Sequence, residues 1–569
     1  MPNRRLTLLN LSAALFLGAW PLLPAHAADS SAGREVYQSL CADCHGEAGQ
    51  GSEEYPTALT GDLSVEQLTK LIGDTMPEGR PGDCVGEQAS AVAAYVFDEF
   101  YSHQAQARRA PRRELSHLTA RQYEQSLLDL LGSFGWQGRH DGRRGLTAEF
   151  FKGQGADPNQ RVRDEITPGV DFRLVDSGFY EQSQLFPENP ATDDPMGRAR
   201  AQSAFMKWTG GVIAPETGDY EFLVNCNAGF QLWVNGERPL LDRAVQSGDE
   251  HGGRARLRLL EGHAYHLRLE VTRVFEPDVE VRLSWKPPGG VEQPIPSRML
   301  SPHPQPMRYV TARALPPDDR SEGFLRGSSI SALWDESTTQ AALPVGEWAM
   351  ASAAPLKEAN GADKARDYCV QFAERALRRP LTDSEIERLV DRYFGDPQGD
   401  WRWAVKASLV RSLKSPEFLY PELAESDASP DWRAASRLAL ALWDSLPDEP
   451  LMLTARKQDL HTHDQITRHS GWMLKDPRAA AKVKDFFRSW LHIKRADQIN
   501  RDPQAFPGFS PRLAADMRTS LEMTLDKVMW SDGSDYRRLL LSNELYVNER
   551  IAAFYEIDLP EKGSSEFQR

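Results

Sequence analysis

The sequence predicts a multidomain α and β chain in three parts: a small all-α unit near the start, an all-β sandwich in the middle and an all-α C-terminal helical region. Three observations predict it. The run Cys41-Ala42-Asp43-Cys44-His45 stands between short helical patterns near the N-terminus. From Gly145 the apolar period turns from helical to alternating, and beyond about residue 362 it turns back. A chain of 569 residues also exceeds what one core usually supports, so roughly three to five domains are expected.

Residues 1–27 carry Arg4 and Arg5, a largely apolar stretch from Leu6 to Trp20, and Pro24-Ala25-His26-Ala27. Positive start, apolar middle and A-x-A end are the parts of a secretory signal cleaved after Ala27, so the mature chain is expected outside the cytoplasm. No later segment offers the ~18 consecutive apolar residues of a membrane span. The formal charge is −15, and cleavage removes two arginines and no acids, leaving −17. An acidic surface argues against nucleic acid or anionic lipid as a main partner and is compatible with a basic redox partner.

Cys41, Cys44 and His45 form the C-x-x-C-H pattern of covalent haem attachment. Thiols three residues apart on a helical turn each add to a vinyl group of one porphyrin, and the adjacent imidazole falls under the iron as proximal ligand. A thioredoxin-like pair wants a strand-to-helix setting, whereas Ala32–Leu40 reads as a helix. A structural zinc site wants a second pair at similar spacing, which the sequence lacks. For the distal ligand, Met76 in Gly73-Asp74-Thr75-Met76-Pro77 is the only methionine between His45 and the basic linker, and His103 is the only other histidine. An axial thioether raises the potential and closes the sixth site, which favours Met76 over His103; ordinary core packing is the alternative for a lone methionine. One covalent haem c is therefore expected. Residues 30–103 resemble a small class I cytochrome c: an N-terminal helix, C-x-x-C-H, a Met loop and a C-terminal helix over Ala89–Phe97. Of the other cysteines, Cys84, Cys226 and Cys369 cannot all pair within one chain and read as small hydrophobes.

Arg108-Arg109-Ala110-Pro111-Arg112-Arg113 reads as a linker, followed by a helix capped at Thr119 and stopped at Gly132. Alternation then sets in. Tyr220, Phe222 and Val224 share a strand face, as do Phe230, Leu232 and Val234, and Asn235-Gly236 supplies a hairpin turn. Further strands run through Leu257, Leu267 and Leu283, and short strands between turn signals mean a sandwich or barrel. The segments Gly145–Phe151, Trp208–Tyr220 and Gln231–Gly236 resemble the protective-antigen-type (PA-fourteen) β-sandwich. Sugar-binding members of that family commonly hold Ca²⁺ through adjacent aspartates before the glycine that leads into the L-W-V-N-G strand. Here that place reads Asn225-Cys226-Asn227-Ala228-Gly229, and without the carboxylates a hard cation loses its strongest ligands. Ca²⁺ is not expected, and a carbohydrate ligand rests on fold analogy alone.

Residues 303–362 show no sustained period, and Pro304, Pro306, Pro316 and Pro317 make a connector. Helical stripes follow at Ala365, Cys369, Phe372, Ala373 and Ala376, and at Val483, Phe486, Phe487, Trp490 and Leu491, all expected in a bundle core. Thr382-Asp383-Ser384-Glu385 forms a capping box. Phe372–Thr382, Ser415–Tyr420, Ala441–Asp448 and Tyr546–Ala552 resemble landmarks of the planctomycete-type helical domains of unknown function (DUF fifteen-eighty-seven, fifteen-ninety-five and fifteen-ninety-two). In that family they accompany a cytochrome c domain and often a PA-fourteen insert. Members usually continue past the point where this chain stops, so the resemblance implies a truncated C-terminus.

The resulting partition is a signal peptide over 1–27, a cytochrome c domain over 28–105, a linker and short helical module over 106–144, and the sandwich over 145–302. A connector over 303–362 and helical domains over 363–425 and 426–569 complete it. No Walker loop, G-x-S-x-G elbow or H-E-x-x-H pair is present. His461-Thr462-His463 suggests a metal but fits solvated side chains better, and Glu522 and Glu549 could serve acid/base chemistry or simply cap and solvate helices. Three function classes follow: an exported monohaem electron-transfer protein with a redox partner, an oxidoreductase whose helical region reduces the haem, and a cell-surface adhesion or scaffold protein.

Overall fold

The computed structural model describes residues 30–569 apart from 54, 62, 103–104, 106–115, 137, 139–140, 175–202, 246–250, 275–278, 319–326, 328–330, 360, 397–398, 427, 494–498, 503, 532 and 560–566. The signal peptide expected over 1–27, the basic linker Arg108–Arg113 and the alternative ligand His103 lie outside the described residues. The chain divides into two units, Met1–Glu114 and Leu115–Arg569.

In the first unit, helix Ser30–Leu40 packs on helix Glu87–Val96, which in turn packs on helix Val65–Thr75. Gly33 makes the first crossing possible: a Cβ there would lie 2.3 Å from Ala91 O and 2.8 Å from Tyr95 Cβ. Tyr37, Tyr95 and Phe100 close the crossing as a ring cluster with centroids 5.3 to 5.9 Å apart. Ser64 and Gln67 cap the middle helix reciprocally, each side chain bonding the other's backbone N–H.

The second unit contains the sandwich. Its strands are β1 (Leu146–Lys152), β2 (Arg161–Thr167), β3 (Asp171–Leu174), β4 (Ala204–Ile213), β5 (Gly218–Cys226), β6 (Gly229–Val234), β7 (Leu241–Arg243), β8 (Gly253–Leu259), β9 (Ala264–Arg273), β10 (Val279–Lys286), β11 (Gln293–Pro294) and β12 (Leu300–Ser301). One sheet runs β2-β1-β4-β9-β6-β7 with β12 on β4, and the other runs β11-β10-β5-β8 with β3 on β10. Every recorded pairing is antiparallel. The inward-facing residues read from the alternation, among them Tyr220, Phe222, Val224, Leu232 and Leu269, form one buried core with Trp208 and Trp285. Asn235 turns the β6–β7 connection with φ +52°, a left-handed position that asparagine tolerates.

The helical region differs from the sequence partition in three places. Helix Ala120–Gly132, read as a module beside the linker, is a wedge shared between two hydrophobic cores of the unit. Leu127, Leu130 and Leu131 join the helical core while Leu128 joins the sandwich core. Its buried Glu124 accepts from Arg258 Nη2 of the sandwich at 3.0 Å and from Thr311 Oγ1 of the following connector at 2.8 Å. The sandwich is thus inserted between this helix and the helices that share its core. Second, the connector holds helices Ala332–Ala342, Val345–Ser352 and Ala354–Lys357. Third, the stripe at 483–491 is not a core seam: Phe487 is buried, but Phe486, Trp490 and Leu491 are 59%, 48% and 38% exposed.

A buried ionic seam joins the sandwich loops to the last long helices. Arg488, 2% exposed, places Nε 2.9 Å from Glu522 Oε1, Nη1 3.2 Å from Glu261 Oε2 and Nη1 2.8 Å from Pro215 O. Arg518 pairs with Glu216 and, at 3.1 Å, with Glu522, while Arg121 pairs with Glu261. Each buried charge therefore has an opposite charge beside it, as burial requires.

Candidate haem cleft

Residues 41–45 close a helical turn directly after the first helix. Cys41 N–H donates to Tyr37 O and His45 N–H donates to Cys41 O, both at 2.9 Å. Tyr37, fully buried, anchors the turn from the other side by donating its hydroxyl to Gly46 O at 2.8 Å. Cys41, Cys44 and His45 are thereby presented to one cleft of about 270 Å³. Met76, which ends the capped helix Val65–Thr75, reaches the same cleft, whose apolar lining includes Leu40, Leu59, Leu68 and Ile72.

All four residues singled out by the sequence therefore converge. Cys41 is half-buried and its thiol is pushed up to about 11, first by burial and then by the nearby Cys84 and Cys44. Burial lowers the His45 pKa and keeps the ring neutral, the form that ligates iron. His45 Nδ1 is buried without a hydrogen-bond partner among the described residues. Imidazole nitrogen and thioether sulfur are the axial pair that a c-type haem iron takes, and an apolar cleft with two thiols suits its porphyrin. These residues fit the group. The hydroxyl of Tyr55 donates to Glu78 Oε2 at 3.0 Å, tying the segment after His45 to the loop that carries Met76.

Cys84 is the cleft residue that sequence reasoning missed. Read as a packing residue, it is 1% exposed and lines the cleft beside the other two thiols. Its position eight residues beyond Met76, on the same loop, was the available signal. Cys226 and Cys369 lie instead in the sandwich and helical cores. His461 bonds Asp431 at 3.2 Å, Thr462 caps helix His463–Met473, and the His463 side chain is 92% exposed. No group of three or more metal-ligating side chains occurs among the described residues. At the place of the sandwich family's aspartate pair, Asn227 Oδ1 accepts from Glu280 N–H at 2.9 Å. Glu522 is committed to Arg488, and Glu549 occupies the first turn of helix Glu549–Tyr555.

A small helical unit with a two-thiol, imidazole and thioether cleft is followed along the chain by an antiparallel sandwich set in a helical body. Family models match in the same order. Residues 28–96 match cytochrome C oxidase, cbb3-type, subunit III, and residues 143–298 match the PA14 domain. Residues 364–421 and 430–557 match two proteins of unknown function, DUF1595 and DUF1592. The chain thus carries a cytochrome c domain, which implies haem and electron transfer, a PA14 domain and DUF1595 and DUF1592 helical domains.

A curated relative, the anti-sigma-I factor RsgI3 of Acetivibrio thermocellus, is 24% identical over 130 residues, 23% of this chain; the chain spans 20% of that relative's length. Among solved structures, a PA14 sugar-binding domain from an RTX adhesin is 18% identical with a TM-score of 0.21, covering 28% of this chain and 98% of that one. The PA14 domain of the MpAFP antifreeze protein is 16% identical with a TM-score of 0.20, covering 29% and 96%. No described helix is long and apolar enough to cross a membrane.

Proposed function

We propose that the chain is an exported monohaem electron-transfer protein that exchanges single electrons with a redox partner protein. Cys41 and Cys44 would anchor one haem c through thioether bonds, His45 would be its proximal ligand and Met76 its distal one. The observation that carries this reading is the convergence of two thiols, a neutral imidazole and a thioether on one apolar cleft. When bound, the haem supplies a one-electron couple. The chain's own residues hold and shield it: Tyr37 fixes the turn that carries the thiols, and the Tyr55–Glu78 bond steadies the loop that carries Met76.

Attachment outside the cytoplasm agrees with the signal pattern over 1–27. The test is expression of the full chain with a haem-attachment system, then haem staining and a reduced-minus-oxidised spectrum. A c-type spectrum that is lost in the Cys41→Ala, Cys44→Ala double variant supports the assignment; a colourless wild-type chain sinks it. A second reading, in which the Leu115–Arg569 unit carries a substrate whose oxidation feeds the haem, draws on a polar cavity in that unit. Reduction of the purified holoprotein by added substrate alone would favour it.

A further inference from the structure

The cavity of about 480 Å³ lies where the wedge helix Ala120–Gly132, the β8–β9 turn and the helices after Leu446 meet. It falls within the size range of small-molecule sites, about 300–1,000 Å³. Its charged lining is nearly balanced, with Arg308, Arg375 and Arg478 against Asp129, Asp448, Glu449 and Asp476. Arg478 organises the floor. Its guanidinium stacks 3.8 Å over Trp443 and bonds Asp129 Oδ2 at 2.9 Å and Asp476 Oδ2 at 2.8 Å.

Two acceptors on the wall are left over. Asp448 Oδ1 caps Leu451 N–H at 3.0 Å, while Oδ2 stands 3.7 Å from Arg478 Nη2, too far for a hydrogen bond. His263 is 6% exposed, and its tautomer is set by its neighbour. Gln125 Nε2 donates to Glu261 O at 3.1 Å, so Gln125 Oε1 faces His263 Nε2 at 2.7 Å and accepts its proton. The Nδ1 lone pair then has no hydrogen bond to a described residue. Burial, the largest influence on the ring, lowers the His263 pKa to about 3 and keeps it neutral; burial raises that of Asp448.

An anion entering this cavity meets four carboxyl groups and a cation meets three guanidinium groups, so neither charge is favoured. What the two leftover acceptors ask for is a neutral ligand with several donors. Leu130 and Met452 supply apolar wall for its C–H faces. We propose that this cavity binds a neutral polyhydroxylated ligand of mono- or disaccharide size, with Asp448 Oδ2 and His263 Nδ1 accepting its hydroxyl protons. The cavity's lining includes no residue of the Asn225–Gly229 segment of the sandwich, and the proposal stands or falls apart from the haem reading.

The experiment is isothermal titration of the full chain with glucose, galactose and myo-inositol as neutral probes, and glucuronate and glucosamine as charged ones. At least one neutral probe is expected to bind saturably, tenfold or more tighter than either charged probe. Asp448→Asn and His263→Gln are each expected to weaken it about tenfold, the loss of one buried hydrogen bond. Should either variant melt early, amide-exchange protection of wild-type residues 262–264 and 446–452 by the same neutral probe gives the same answer. Failure of all three neutral probes at millimolar concentration overturns the proposal. So does tighter binding of a charged probe, binding unchanged in both variants, or the absence of protection over those residues.

Discussion

Met76→Ala separates the distal ligand from the stability of the fold that presents it. Met76 is half-buried at the margin of the first unit's core. A fully buried methionine truncated to alanine costs about 2–5 kcal/mol, so partial burial brings the loss to about 1–2 kcal/mol, small against a usual stability of about 5–15 kcal/mol. The variant should therefore fold, with haem retained by Cys41 and Cys44, and any spectral change reports on the iron. Without the thioether the sixth position opens to imidazole or cyanide, and the midpoint potential falls by on the order of 0.1 V out of the roughly 0.8 V that axial ligands span. Absorption and electron paramagnetic resonance spectra, ligand titration and potentiometry read these changes. An unaltered low-spin spectrum, unchanged potential and no uptake of added ligand would refute the assignment and turn attention to His103.

Three further outcomes follow from the packing. Gly33→Val should cost about 1–3 kcal/mol by forcing apart the helix crossing at Ala91, lowering the melting temperature and the haem yield together. Arg488→Met strips Glu522 and Glu261 of one of their two cations, leaving Arg518 and Arg121 as their remaining partners, and should cost about 1.5–3 kcal/mol, seen as a lower melting temperature and faster proteolysis around the sandwich loops. Arg379 grips Glu385 with bonds of 2.9 and 2.8 Å and holds its pKa at about 2, below its usual value near 4.5. That contribution is fully present above the usual carboxylate range and is lost as pH falls towards 2, so in Glu385→Gln acid unfolding monitored by circular dichroism should show a weaker dependence over that window.

What the sequence disclosed was local chemistry. Five consecutive residues carry the haem pattern, so the expectation for Cys41, Cys44 and His45 needs no fold, and that for Met76 rests on elimination; the structure adds that all four line one cleft. The capping boxes at Thr119 and Thr382 form as read because each spans only four residues. Helix Ala332–Ala342 escaped notice because its buried face is Trp334, Thr338, Ala341 and Ala342, with too few large apolar residues to show a stripe. Phe486 and Trp490 misled in the opposite direction: they keep helical spacing but stack on each other, with centroids 5.9 Å apart, at the surface. The wedge helix and the polar cavity depend on contacts between residues more than a hundred positions apart, such as Asp129 with Arg478, and no local period carries that information.

The most direct measurement is the mass of the proteolytic peptide spanning Cys41 to His45 from the exported chain, read alongside its visible spectrum. The account predicts one added porphyrin on that peptide, bound through both thiols, with the absorbance of a c-type haem. A colourless chain whose Cys41–His45 peptide carries no added mass would contradict it.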